Sequence, residues 1–96
     1  MINNVTLVGR LGKDAEVLTA QGLTRLSVAT THSWKDKATG EWKEHTDWHR
    51  VTLWRERSLP KGALVYVEGR VSYREHEGKW YTEIIAHTVH HLDRPR

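Results

Sequence analysis

The most regular feature of the chain is alternation with a period of two. From Asn4 to Leu11, Val5, Leu7 and Leu11 fall on one side and Thr6, Val8 and Arg10 on the other, the pattern of a half-buried strand. Gly9 interrupts it, where a bend or bulge is expected. A short edge segment, Ala15 to Thr19, leads through a turn at Ala20-Gln21-Gly22 into a second strand, Leu23 to Trp34, with Leu26 and Val28 pointing one way and Arg25, Ser27 and Ala29 the other. A third strand follows from His45 to Trp54. In the fourth, Ala63 to Arg74, the set Ala63, Val65, Val67 and Val71 alternates with Leu64, Tyr66, Glu68, Arg70 and Ser72. The fifth, Trp80 to Leu92, places Ile84 and Ala86 on one face and Tyr81, Ile85 and Val89 on the other.

The connections follow from what the chain lacks. Lys35 to Glu44 is charged, has no apolar period and carries a Thr39-Gly40 turn signal, so a long hairpin loop is expected between the second and third strands. Glu75 to Lys79 reads as a tight hairpin. Pro60 and Gly62 leave room for at most one helical turn between Arg55 and Gly62. The expectation is an all-β domain spanning residues 1–96, with little or no helix. At this length the five-stranded solution is the oligonucleotide-binding (OB) barrel.

The third strand is the unusual one. Its His49, Val51 and Leu53 can enter a core, but the opposite side carries Trp48, Arg50, Thr52 and Trp54, two indoles flanking a guanidinium and a hydroxyl. Flat rings beside fixed positive charge supply what an unpaired nucleic-acid strand needs, faces on which bases stack and partners for phosphates. Composition points the same way: five Trp, three Tyr and no Phe, with a net charge of +3. The indole N–H needs a partner when buried, so a bias to Trp suits a surface that meets a ligand, although a Trp-rich domain whose rings only pack has the same composition. If phosphates are bound, the candidates are Lys13, Lys35, Lys37, Lys43, Arg50, Arg55, Arg57, Lys61, Arg70 and Arg74, with Arg50 first because it shares a face with two tryptophans.

The absences narrow the function class. Without cysteine there is no disulfide, thiolate metal site or cysteine nucleophile. There is no run of 18 apolar residues and no charged segment followed by an apolar one at the N-terminus, so neither membrane nor export is expected and the address is cytoplasmic. A chain of 96 residues is near the lower limit for an adequate core, which makes a homo-oligomer the expectation.

Several segments also resemble a known family. Asn4-Val5-Thr6-Leu7-Val8-Gly9-Arg10-Leu11-Gly12-Lys13-Asp14, Ser33-Trp34-Lys35-Asp36-Lys37-Ala38-Thr39-Gly40-Glu41, Asp47-Trp48-His49-Arg50-Val51 and Val65-Tyr66-Val67-Glu68-Gly69-Arg70 are similar, in order, to segments of bacterial single-stranded DNA-binding proteins. The resemblance implies an OB fold that wraps single-stranded DNA without sequence preference, usually as a homotetramer, to keep strands unpaired and protected in replication, recombination or repair. It implies base stacking on Trp34, Trp48 and Trp54, with basic residues near the loops on the backbone and no cofactor. The family's helix between the third and fourth strands does not fit in Arg55 to Gly62. In the shortened hairpin after the fourth strand, His76 takes the place of a further stacking tryptophan. The family's flexible linker and acidic tip, which recruit replication and repair proteins, have no counterpart in these residues; His91-Leu92-Asp93-Arg94-Pro95-Arg96 is basic, so a short form without that tail is expected.

The same residues admit other readings. An OB-fold primosomal adaptor would use the aromatic face for protein. Seven histidines suggest metal, with His45, Asp47 and His49 on one strand face, but His87 and His91 face opposite to His90, and no metal is expected. Gly9 to Asp14 has the glycines and lysine of a phosphate loop but not its spacing, hydroxyl or helix. No serine sits on a nucleophile turn, so the chain is not expected to be an enzyme. Trp42 is a loop residue that could contact DNA, and Trp80 a core or hairpin-clamping ring partnered by Tyr73.

Overall fold

The computed structural model describes residues 1–93. Its elements are β1 (Val5–Leu11), β2 (Glu16–Leu18), β3 (Leu23–Lys35), β4 (Trp42–Leu53), β5 (Leu64–His76) and β6 (Lys79–His91), and no helix occurs among the described residues. The sheet runs β1-β5-β6-β4-β3, and β1 also pairs with β3, which closes a five-stranded barrel with β2 as an extra strand on the edge of β3. Between β4 and β6 the pairing is parallel, Val51 with Ile84 and Leu53 with Ala86. This is an all-β OB-type barrel, as the alternation of apolar residues implies.

Gly9 stands where β1 changes partner. The β1–β5 ladder ends at Arg10 with Leu64, and the β1–β3 ladder begins at Arg10 with Ala29. A Cβ on Gly9 would lie 2.1 Å from the carbonyl oxygen of Ala29, so only a residue without one lets the strands approach this closely and turn the barrel corner.

The core is a column of small branched residues. Val28, Val51, Val65, Val67 and Val89 are sealed from solvent, and Leu11, Leu26, Leu53, Leu59, Ala63, Ile84 and Ala86 complete the cluster. Val89 belongs to it despite facing away from Ile84 by simple parity. The β5–β6 register slips between Glu68 and Gly69, pairing Glu68 with Thr88 and Gly69 with Ala86. His87 is therefore an extra residue, a β-bulge that reverses the phase of β6 and turns Val89 inward.

Residues 55–63 cover one end of the barrel without a helix. Leu59 is buried in the core, and its carbonyl accepts from the Ala15 amide at 2.9 Å. The fully buried Thr24 hydroxyl ties the segment down, donating to the Arg55 carbonyl at 2.8 Å and accepting from the Arg57 amide at 2.9 Å. Thr24→Val keeps the shape and strands both partners. It is expected to cost about 1–3 kcal/mol, read as a lower midpoint in urea with an unchanged slope; an unchanged midpoint would show that water satisfies the segment equally well.

The hairpins are longer and their turns shorter than the sequence suggests. β3 and β4 continue their register to Lys35 with Trp42, leaving a turn of only Asp36 to Glu41. Asp36 makes this possible. Its carboxylate accepts from the Ala38 amide at 2.8 Å and pairs with Lys43 Nζ at 3.0 Å, and these contacts, Lys43 first, hold its pKa below the ordinary carboxylate value. The β5–β6 turn is just Glu77 and Gly78, both with positive φ (51° and 79°), the type I′ geometry that suits the twist of a hairpin. Both hairpins extend past the barrel. The radius of gyration is 15.5 Å, against about 12.5 Å for a compact chain of this length.

Candidate nucleic-acid interface

Directly paired residues of neighbouring strands share a face, so the registers show which side chains meet outside the barrel. On the outer face β3 presents Arg25, Ser27 and Ala29, opposite Thr52, Arg50 and Trp48 of β4. Across the parallel seam β6 adds Glu83 and Tyr81, and β5 adds Arg74, which is paired with Tyr81. The result is one surface with two hollows. In the first, Trp48 and Arg50 face Trp80, Tyr81 and Glu83 where the β4 and β6 arms diverge. The second is lined by Lys13, Arg25, Arg50 and Arg74, with the carboxylates of Glu16 and Glu83.

The electrostatics of this surface are lopsided. Among the described residues, Lys13, Arg25, Arg50 and Arg74 have no carboxylate within ion-pair distance, whereas Arg10 is paired with Asp93 at 2.8 Å and Lys43 with Asp36. The Arg50 guanidinium instead lies 6.0 Å from the centre of the Tyr81 ring, at the outer limit of a cation–π contact. The Leu64 amide, followed by Arg10, holds the Asp93 carboxylate below its ordinary pKa, so Arg10 remains committed to it at neutral pH.

Trp48 is 63% exposed and nevertheless seated. Its six-membered ring lies on Gly12 so closely that a Cβ there would be 2.3 Å from Cζ3 and 2.7 Å from Cη2. Trp34 is placed differently. It pairs with Lys43 and belongs to the register set of Val28 and His49, so it lies on the opposite face of the β3–β4 ribbon from Trp48, with its ring stacked on His32 at 5.8 Å. Trp54, also 63% exposed, follows the end of β4.

The expected site residues thus separate into groups. Trp48, Arg50, Arg74 and Lys13 come together. Lys35, Lys37 and Lys43 stand at the β3–β4 hairpin tip, Arg55 and Lys61 in the segment capping the barrel, and Arg70 on the outer register set of β5. His76 ends β5 at the other hairpin tip, 3.8 Å from Glu77.

Four expectations are corrected. Arg57 is half-buried and donates to the Val89 carbonyl, so it serves the fold. Thr52 has the expected parity but is only 6% exposed, because Glu83 covers it and accepts its hydroxyl at 2.9 Å. Trp42 is a strand residue on the register set of Trp48, not part of a loop. Trp80 is an exposed wall of the first hollow and not core; Thr82 is the residue directly opposite Tyr73, and Trp80 lies diagonal to Tyr73 on the same face of the hairpin. Arg25, Tyr81 and Glu83 join the candidate site although the alternation does not single them out. Arg25 was legible as an outward residue, but only the β3–β4 register places it beside Thr52, and only the parallel seam brings β6 alongside.

The histidines are spent locally. His45 Nε2 lies 3.0 Å from Asp47 and His49 Nε2 2.8 Å from the Thr30 hydroxyl. Among the described residues no three His, Asp or Glu side chains converge as metal ligands.

An exposed aromatic and cationic face on an OB-type barrel is the arrangement of a nucleic-acid binder, and comparison with known proteins agrees. The sequence model of the single-strand binding protein family matches residues 2–92. The chain belongs to that family. Among solved single-strand binding proteins, the SSB of Plasmodium falciparum, in complex with ssDNA, is 35% identical, with 88% of this chain and 86% of that one covered and a TM-score of 0.71. A deletion mutant of the single-stranded DNA-binding protein from Thermus aquaticus is 29% identical with a TM-score of 0.78; 96% of this chain is covered, but it spans only 51% of that protein. The small single-stranded DNA-binding protein from Streptomyces coelicolor shares the fold at 22% identity and a TM-score of 0.68, with 96% of this chain and 95% of that one covered.

Proposed function

We propose that this protein binds single-stranded DNA without sequence preference, stacking bases on exposed indoles and neutralising phosphates with Lys and Arg, and that it does so without catalysis. The observation that carries the reading is the outer face itself. Trp48, seated against Gly12, adjoins a hollow lined by Lys13, Arg25, Arg50 and Arg74, none of them paired with a carboxylate among the described residues. A strand lying there has a ring for a base and cations for its phosphates within one surface, and both interactions are indifferent to base identity.

The remaining residues suggest the path. Trp34 lies on the far face of the β3–β4 ribbon, so a strand that uses both Trp34 and Trp48 wraps around that ribbon, past Lys35, Lys37 and Lys43 at its tip. Trp54, with Arg55 and Lys61, extends the track toward the barrel end, and Arg70 and His76 extend it along β5. We place the activity in the cytoplasm, in a homo-oligomer with the tetramer favoured over the dimer, protecting exposed strands in replication, recombination or repair.

Titrating the protein with oligo-dT at low salt tests this. Tryptophan fluorescence is expected to be quenched as a complex forms, and affinity to fall with salt, the logarithmic slope being about −0.7 per phosphate neutralised and hence roughly −3 if the four grouped cations all engage. Unquenched fluorescence with no complex sinks the proposal. A binding curve indifferent to salt removes the phosphate contacts from it.

A further inference from the structure

The cationic face contains a half-buried carboxylate that general strand binding does not call for. Glu83 lies between β4 and β5 on the outer face and lines both hollows, the aromatic one beside Trp48 and Tyr81 and the cationic one beside Arg50 and Arg74. One of its oxygens, Oε2, accepts the hydroxyl of Thr52 at 2.9 Å, and Thr52 is only 6% exposed, so the carboxylate is held from beneath. Among the described residues it has no ion pair and no other side-chain donor, even with arginines lining the same hollows. A charged group so placed opposes the phosphates that its neighbours attract, and its remaining lone pairs point to a partner that donates.

In single-stranded DNA the phosphates and the deoxyribose ring oxygen only accept, so donors come from the bases. Cytosine and adenine carry an exocyclic amino group on the edge that is exposed once the strand is unpaired, guanine carries another, and thymine and uracil present there a single ring N–H flanked by two carbonyl oxygens, which repel an approaching carboxylate. We infer that Glu83 is a base-reading residue, accepting a hydrogen bond from the amino group of a base stacked in the Trp48–Tyr81 hollow. It biases the protein toward amino-bearing bases over thymine and uracil. The bias rests on the single-stranded DNA reading above. It is modest, since one acceptor works beside several contacts that ignore base identity, and it belongs to this carboxylate, which Thr52 aims.

Oligo-dC and oligo-dU differ only on that edge, amino against carbonyl at position 4 and acceptor against N–H at N3, so their affinities at one salt concentration and neutral pH report which edge the carboxylate prefers. The wild-type protein is expected to favour oligo-dC on the order of fivefold, the scale of one hydrogen bond to a charged group in a wet site. Glu83→Gln keeps the shape, removes the charge and offers an NH2 to the uracil carbonyl. It is expected to tighten oligo-dU more than oligo-dC and bring the ratio to one or below. Glu83→Ala, which removes acceptor and donor together, is expected to bring it to one, and serves if the glutamine variant is unstable. Equal gains for both oligonucleotides would mean that Glu83 acts only through its charge, and would overturn the proposal. So would a wild-type ratio of one, or a preference for oligo-dU. Failure of the wild type to bind either oligonucleotide refutes strand binding itself, a different result from binding both equally.

Discussion

Gly69→Ala is expected to lower the thermal midpoint by at least about 12 °C, if the chain folds at all. A Cβ at this position would lie 2.1 Å from the Ile85 carbonyl oxygen and 2.8 Å from the Ala86 Cα. Both obstacles are backbone, so no side chain can swing aside. Relief requires moving β5 away from β6, beside the bulge that sets the phase of Val89 in the core. Overpacking typically costs 1–3 kcal/mol where neighbours can yield, and here about 3 kcal/mol is a lower figure. Each kilocalorie shifts the midpoint of so small a domain by roughly 4–8 °C, out of a total stability on the order of 5–15 kcal/mol. Thermal melts followed by circular dichroism check this. A midpoint within a few degrees of the parent would show that the β5–β6 approach at Gly69 is not as tight as described.

Trp48→Ala is expected to weaken oligo-dT binding about 5- to 150-fold, the 1–3 kcal/mol attributed to stacking one base, and to leave the fold intact because the ring is 63% exposed. Gly12 supplies a control that removes no aromatic group. Gly12→Ala puts a methyl where the indole lies, 2.3 Å from Cζ3, and drives the ring off its seat. Part of the same loss is then expected with all five tryptophans present. If Trp48→Ala binds as the parent does, stacking is carried by the other rings. If it unfolds, the indole supports the barrel and is not a free stacking surface.

The two positions differ in how far the sequence alone reveals them. Gly9 and its bend were visible in the alternation of the first strand, and so was the division of the third strand into a core side and a Trp48–Arg50–Trp54 side. Gly69 was not visible as a constraint. Its importance comes from the bulge at His87, and one extra residue in a strand leaves no signature in a period-two pattern except an apolar residue, Val89, on the apparently wrong face. Charge and a Thr-Gly pair dominate Lys35 to Glu44 and suggest a loop around Trp42; the Asp36 carboxylate, by closing the turn on itself, lets the strands run further. A ring at a strand start, such as Trp80, usually packs, and nothing local says that the arm it sits on leaves the barrel.

By itself the sequence determined the order of the long strands, the core side of all but the end of the last one, the all-β class and the family, because alternation and residue type are properties of neighbours along the chain. The tertiary structure decided which outward side chains meet. Arg25 joins Arg50 through antiparallel register, and Glu83 covers Thr52 through the parallel β4–β6 seam. Trp34 and Trp48, fourteen residues apart, are put on opposite faces of one ribbon by its register. Closing the barrel also depends on backbone approaches at Gly9 and Gly69, which steric contact between distant segments enforces and no local pattern records.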